Sequence, residues 1–132
     1  MTNIDKTIEN SQNLTLLYVE DNKDAREMTS MILEDFFNKI IVAVDGEDGY
    51  NKFLNNKIDL VISDINMPKM NGLELCKKIR ETDMKIPIIV LSAHSEDNFI
   101  SESLKYGVSN YLLKPIDIDQ LSTIIFQITQ KR

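Results

Sequence analysis

Five short apolar runs, each stopping abruptly at a polar or charged residue, constrain this chain more than any other feature. They are Leu14–Val19, Ile40–Val44, Leu60–Ile62, Ile88–Leu91 and Tyr111–Leu113. Each is too short for an ordinary helix and too apolar for a surface loop, so each reads as a strand, and Leu60–Ile62 as one covered on both faces. Between and after them apolar residues recur at helical spacing: Ala25, Met28, Ile32 and Phe36; Tyr50, Phe53 and Leu54; Leu73, Cys76 and Ile79; Phe99, Ile100 and Leu104; Leu121, Ile124, Ile125 and Ile128. Strand then helix, repeated five times, predicts an α/β fold. Its core is a single doubly wound, five-stranded parallel sheet, with five helices over its two faces and right-handed crossovers.

The helix boundaries carry their own signals. Asp45 offers an N-cap acceptor with Glu47 and Asp48 in the first turn, and Asn71 is followed three residues on by Glu74. Ser95-Glu96-Asp97 opens the fourth helix, Gly107 follows it as a stop, and the last helix starts near Asp117. Residues 1–12 are polar and without usable periodicity, and read as a mobile arm or a frayed helical turn. The domain proper is expected over 13–130, with no internal linker.

A chain of 132 residues supports one domain with a core that needs no staples. Its net charge of -6 argues against a broad nucleic-acid-binding surface and is compatible with a cation site. Cys76 is the only cysteine, so no internal disulfide can form, and its place on a helical stripe marks it as core. The scattered methionines read as core filler. The start lacks the apolar segment of a secretory signal, and no run is long enough to span a bilayer. A cytoplasmic protein, not inserted in a membrane, is expected.

Residues with chemistry stand at the carboxyl ends of the strands: Glu20 and Asp21, Asp64, Ser92 and Lys114. Parallel strands end on one side, so these positions meet at the lip where open α/β sheets bind ligands. The stretch Leu60 to Gly72 delivers Asp64 to that lip and then turns through Met67-Pro68 and Asn71-Gly72. Three carboxylates brought together repel one another, and a bound cation relieves the repulsion. Oxygen ligands without His or Cys favour Mg²⁺, with Mn²⁺ as the alternative. Lys114 adds a compact positive charge and Ser92 a hydroxyl. Together these groups describe a phosphoryl-transfer site, and an aspartate is a recognised covalent phosphoryl acceptor. Taken singly, each has a plainer reading: Glu20-Asp21 a solvated turn, Ser92 a helix cap, Lys114 a surface lysine, Asp64 a strand-end cap. Their joint placement is what carries the chemistry.

Glu20-Asp21, Asp64 with Met67-Pro68 and Gly72, Ser92-Ala93 and Lys114-Pro115, in that order, resemble the receiver domain of two-component response regulators. The resemblance implies a flavodoxin-like, CheY-like sheet of order 2-1-3-4-5. It implies that Asp64 accepts a phosphoryl group from a sensor histidine kinase or a histidine phosphotransfer protein. Mg²⁺ would be held by the side chains of Asp21 and Asp64, the backbone carbonyl of Asn66 and, through water, Glu20. Ser92, Lys114 and backbone N–H groups near Asn66 and Ala93 would bond the phosphoryl oxygens. Ser92 and Tyr111 would form the switch, which reshapes the surface of the fourth helix, fifth strand and fifth helix for a downstream protein target. His94 would lie at the pocket rim, tuning dephosphorylation; a Ser92–His94 nucleophilic pair is the lesser reading. Such a module is no enzyme beyond its own phosphoryl transfer and autodephosphorylation.

Three alternatives stay open. One is the receiver piece of a longer regulator with a transcriptional or second-messenger output. Another is an aspartyl-phosphate phosphatase, for which Asn66 stands where a second acid is wanted and no cap insertion is present. The third is a flavin or dinucleotide carrier, which lacks its Gly-x-Gly-x-x-Gly loop.

Overall fold

The computed structural model describes residues 3–67, 69–93 and 105–130. The helix predicted over Phe99, Ile100 and Leu104 lies outside them, as do Pro68 and His94. Strands β1 (Thr15–Val19), β2 (Lys39–Ala43), β3 (Leu60–Asp64), β4 (Ile88–Ser92) and β5 (Asn110–Leu113) form one parallel sheet in the order β2-β1-β3-β4-β5. The helices among the described residues are α1 (Asn3–Ser11), α2 (Lys23–Leu33), α3 (Gly46–Asn55), α4 (Gly72–Thr82) and α5 (Ile118–Gln130). The fold class and the strand order are those expected.

Alternation along the strands builds two cores, one on each face. Leu17 and Val19 of β1 and Val61 of β3 pack with Leu75, Cys76 and Ile79 of α4. Leu16 and Tyr18, with Leu60 and Ile62, pack on the opposite face with Leu33 of α2 and Leu121 and Ile125 of α5. Each such side chain fully buried contributes about 1.5–3 kcal/mol, so the two clusters fix the register of every inner strand. In that register Val19 pairs with Ser63, Asp64 with Leu91, and Ser92 with Leu113. The carboxyl ends of β1, β3, β4 and β5 therefore come out side by side.

Three helices rise from this edge on side-chain caps. Asn22, Asp45 and Asn71 accept from the backbone N–H of Ala25 (2.9 Å), Asp48 (2.7 Å) and Glu74 (2.9 Å). Asp117 accepts from the N–H groups of Asp119 and Gln120 at the start of α5. Losing one such cap typically costs about 1 kcal/mol.

The structure departs from the sequence reading in three places. Residues 3–11, expected as a mobile arm or a frayed helical turn, form a full nine-residue helix. Ile4 and Ile8 pack against the second core, and Thr7 and Ser11, at helical spacing from them, are buried. Ser122 of α5 donates its hydroxyl to Thr7 Oγ1 (3.0 Å), Thr7 donates to the Ser122 carbonyl (3.2 Å), and Ser11 donates to the Phe36 carbonyl (2.6 Å). Those bonds make the hydroxyls buriable. The methionines are not uniformly core filler: Met28 and Met31 of α2 are 69% and 70% exposed, and Leu54 of α3 is 54% exposed. The inward face of α2 runs through Ala25, Thr29, Ile32 and Leu33, which leaves Met28 one position off it. Met67 and Met70 do pack on the first core, and Cys76 is fully buried, its thiol pushed up to about 11 by that burial. No helix among the described residues is long and apolar enough to cross a membrane.

Candidate functional site

Glu20 follows β1 directly and continues its ladder, its N–H bonded to the Ala43 carbonyl at 3.1 Å. Asp64 is the last residue of β3, and the next N–H, of Ile65, bonds Leu91 across the strand pair. Two covered strands thus carry two carboxylates to the sheet edge: Glu20 and Asp64 are buried there, and Asp21 beside them is exposed. One carboxylate oxygen from each of the three lies within 4.8 Å of the others. Lys114, just past β5, reaches the same spot, its Nζ 2.7 Å from Glu20 Oε1 and 3.2 Å from Asp64 Oδ1. The Lys114 N–H donates to the carbonyl of Ser92 (2.8 Å), which draws the end of β5 to the buried serine that ends β4. The Lys114–Pro115 peptide is cis.

The charges at this edge are unbalanced. Burial, reinforced by the neighbouring Glu20 charge, pushes Asp64 up to about 6 against the opposing pull of Lys114. Burial acts in the same direction on Glu20, but the hydrogen bond and charge of Lys114 outweigh it and hold that carboxyl below its usual range. Desolvation and a hydrogen bond shared with Glu20 raise Asp21. Burial disfavours the Lys114 ammonium, yet Glu20 and Asp64 more than compensate and its pKa rises. Three carboxylates face one ammonium, and the donors are all oxygen. A hard divalent cation such as Mg²⁺ fits that set.

The loop after β3 is shaped by close approaches. The Gly72 N–H bonds the Ile65 carbonyl (2.8 Å), and a Cβ at Gly72 would collide with the Asp64 carbonyl. Gly46, opening α3, is pressed against the Met70 carbonyl in the same way. Lys69 takes a left-handed conformation (φ 66°) between these contacts, its Nζ 3.8 Å from Asp45.

Of the residues singled out in the sequence, Glu20, Asp21, Asp64 and Lys114 converge, and Ser92 lies beside them in the sheet edge. Asn66 and Ala93 are exposed on the two loops flanking that edge. Tyr111 stands on β5 paired with Val90, 37% exposed, in a shallow cleft with Leu113, Gln120 and Ile124. His94 is outside the described residues.

One residue was not anticipated. Arg26 of α2 donates through Nη1 to the carbonyls of Glu20 (2.9 Å) and Asp21 (3.3 Å). The only signal for it in the sequence is a cation one turn into a helix that starts beside the acidic pair.

The comparisons with known proteins agree with this geometry. A family model described as the response regulator receiver domain matches residues 16–126, so α1 precedes the matched region. The Response regulator ArlR of Staphylococcus aureus (strain MW2) is 34% identical over 117 residues, covering 89% of this chain and 53% of that protein. The chain thus spans about half the length of the curated relatives it matches. Among solved structures, the N-terminal domain of an uncharacterized protein from Wolinella succinogenes superposes with a TM-score of 0.82 at 36% identity, covering 90% of this chain and 96% of that one. A two-component response regulator from Clostridium difficile gives 0.82 at 28% identity, covering 90% and 98%. The Chemotaxis response regulator CheY4 of Vibrio cholerae gives 0.79 at 28% identity, covering 87% and 98%. With the sheet order, the acidic edge and the family match in accord, the chain belongs to the response regulator receiver domain family.

Proposed function

We propose that Asp64 accepts a phosphoryl group from the phosphohistidine of a sensor histidine kinase or histidine phosphotransfer protein. The phosphorylated form then signals to a downstream protein. Receiver domains of response regulators are signalling modules that work between histidine kinases and downstream targets. The observation that carries the specific reading is the Lys114 ammonium bridging Glu20 and Asp64 beside a third carboxylate.

In this reading an Asp64 oxygen forms the new P–O bond as the P–N bond to histidine breaks, its electron pair leaving with the imidazole. Lys114 moves its charge from the carboxylates to a phosphoryl oxygen. The Ser92 hydroxyl and backbone N–H groups near Asn66 and Ala93 donate to the others. Asp21 and Asp64, the Asn66 carbonyl and, through water, Glu20 would hold Mg²⁺; Mn²⁺ suits the same donors. When bound, Mg²⁺ neutralises charge on the phosphoryl oxygens. Ser92 then draws toward the phosphate and Tyr111 turns inward behind it. His94, two residues past Ser92 in the sequence, sets how fast water resets the aspartyl phosphate. Fully reversing a 1:99 population would take about 5.5 kcal/mol of differential stabilisation, so partial activation without phosphate is expected. The output face is built from β5 and α5 together with the segment that follows β4, and the module works in the cytoplasm.

Titration with beryllofluoride and Mg²⁺, followed by amide NMR, tests this. Shifts at Asp64, Ser92, Lys114 and Tyr111 that vanish in Asp64→Asn are expected; no binding by the native protein contradicts the reading. A second reading, a receiver within a longer regulator carrying a transcriptional or second-messenger output, is favoured by the greater length of the curated relatives.

A further inference from the structure

We infer that Arg26 is a positioning residue for the cation site, acting through the backbone of Asp21; this rests on the reading of the acidic cluster as a cation site. Asn22 caps α2, and the Arg26 N–H bonds the Asn22 carbonyl at 2.8 Å, which fixes Arg26 one helical turn above the Glu20-Asp21-Asn22 bend. From there Nη1 donates at once to the Glu20 and Asp21 carbonyls, at 2.9 Å and 3.3 Å.

Those two carbonyls belong to the peptide planes on either side of the Asp21 α-carbon. A peptide unit is planar, so holding both oxygens holds both planes, and with them the φ and ψ of Asp21. The direction of the Asp21 Cα–Cβ bond follows. This matters for Asp21 more than for its neighbours. Glu20 and Asp64 are buried and tied to Lys114, whereas Asp21 is exposed and its side chain is held by the hydrogen bond it shares with Glu20. Glu20 Oε2 accepts from the Asn22 N–H (3.3 Å), so the bend is braced from a second side. A carboxylate aimed in advance loses less freedom when it takes up a cation.

The guanidinium is also a cation near a site for cations. By charge alone it repels Mg²⁺, and its removal would tighten binding. By positioning it favours Mg²⁺, and its removal loosens binding. The two roles predict opposite signs, and a purely structural role predicts a change in melting temperature with no change in affinity.

The test is calorimetric titration of Mg²⁺ into the native protein, Arg26→Met, Arg26→Gln and Arg26→Lys, with melting temperatures recorded in EDTA. Arg26→Met is expected to weaken Mg²⁺ about tenfold, within the range seen when partners of metal ligands are removed. Arg26→Lys, whose single ammonium can still donate to both carbonyls, recovers most of that loss. Affinity in Arg26→Met that is unchanged or tighter overturns the inference. If Arg26→Met does not fold, Arg26→Gln against Arg26→Lys decides the sign in its place. No Mg²⁺ binding by the native protein overturns the cation-site reading itself, and the inference with it.

Discussion

Lys114 and Glu20, 94 positions apart in the chain, are joined Nζ to Oε1 at 2.7 Å. Glu20 is 1% exposed, so in the absence of another cation this pairing is what keeps its charge inside the fold. Lys114→Met leaves that charge unpaired and is expected to cost about 3 kcal/mol in EDTA. Mg²⁺ and the ammonium draw on the same carboxylates, so Mg²⁺ restores more stability to the variant than it adds to the native protein. Urea unfolding with and without Mg²⁺ measures both. Equal stabilisation of the two proteins would show that lysine and metal do not compete.

Asp64 makes the metal-free protein pH-sensitive in one interval. Its folded-state pKa, about 6, lies above the ordinary 3.8, so the contribution is fully present below pH 3.8 and is lost as pH rises through 6. The loss is at most about 3 kcal/mol. Glu20, held low by Lys114, works in the opposite sense: its contribution is present above 4.5 and fades as the solution is made more acidic. Unfolding midpoints in EDTA should therefore fall between about pH 4 and 6, and Asp64→Asn should flatten that fall. A native-like slope in Asp64→Asn would assign it to another group.

Gly72 and Gly49 should respond differently to alanine. A Cβ at Gly72 meets the Asp64 carbonyl and the Ile65 backbone, which cannot rotate away. Gly72→Ala is expected to cost about 3 kcal/mol and to displace Asp64. At Gly49 a Cβ meets the buried Val19 methyls at 2.9 and 3.3 Å and Leu75 at 3.4 Å, side chains rather than backbone. Helix propensity offsets about 1 kcal/mol of the overpacking cost, so the loss is smaller than at Gly72, about 1–2 kcal/mol. Denaturant midpoints of the two variants give the comparison.

Helix α1 is tied down by hydroxyls, and Thr7→Val should expose the debt of one of them. Ser122 loses its acceptor inside the fold, at a cost of about 1–2 kcal/mol. Adding Ser122→Ala removes the stranded donor, so the double variant should lose less than the sum of the singles. Strict additivity would mean that the pair contributes nothing.

The parts of the fold that were legible are those where a local pattern and a tertiary demand coincide. Leu60-Val61-Ile62 has no use except as a covered strand, and Asp64 after it had nowhere to go but the sheet edge. Asn71 with Glu74 and Asp45 with Asp48 signalled helix starts that the caps reproduce. Helix α1 escaped notice because two of its four inward positions, Thr7 and Ser11, are hydroxyls whose partners lie far along the chain. Met28 was misplaced because periodicity cannot tell it from Thr29 when the helix phase is uncertain by one residue. Glu20, Asp21, Asp64 and Lys114 converge because parallel strands in register make it geometrically necessary. The Arg26 bonds to two carbonyls depend on a side-chain path that no spacing rule encodes.

The most direct measurement of the central claim is the intact mass of the protein after incubation with acetyl phosphate and Mg²⁺. A gain of one phosphoryl group, stable in acid, labile in base, mapped to Asp64 and absent from Asp64→Ala, is predicted. No gain in the native protein, or an undiminished gain in Asp64→Ala, would contradict it.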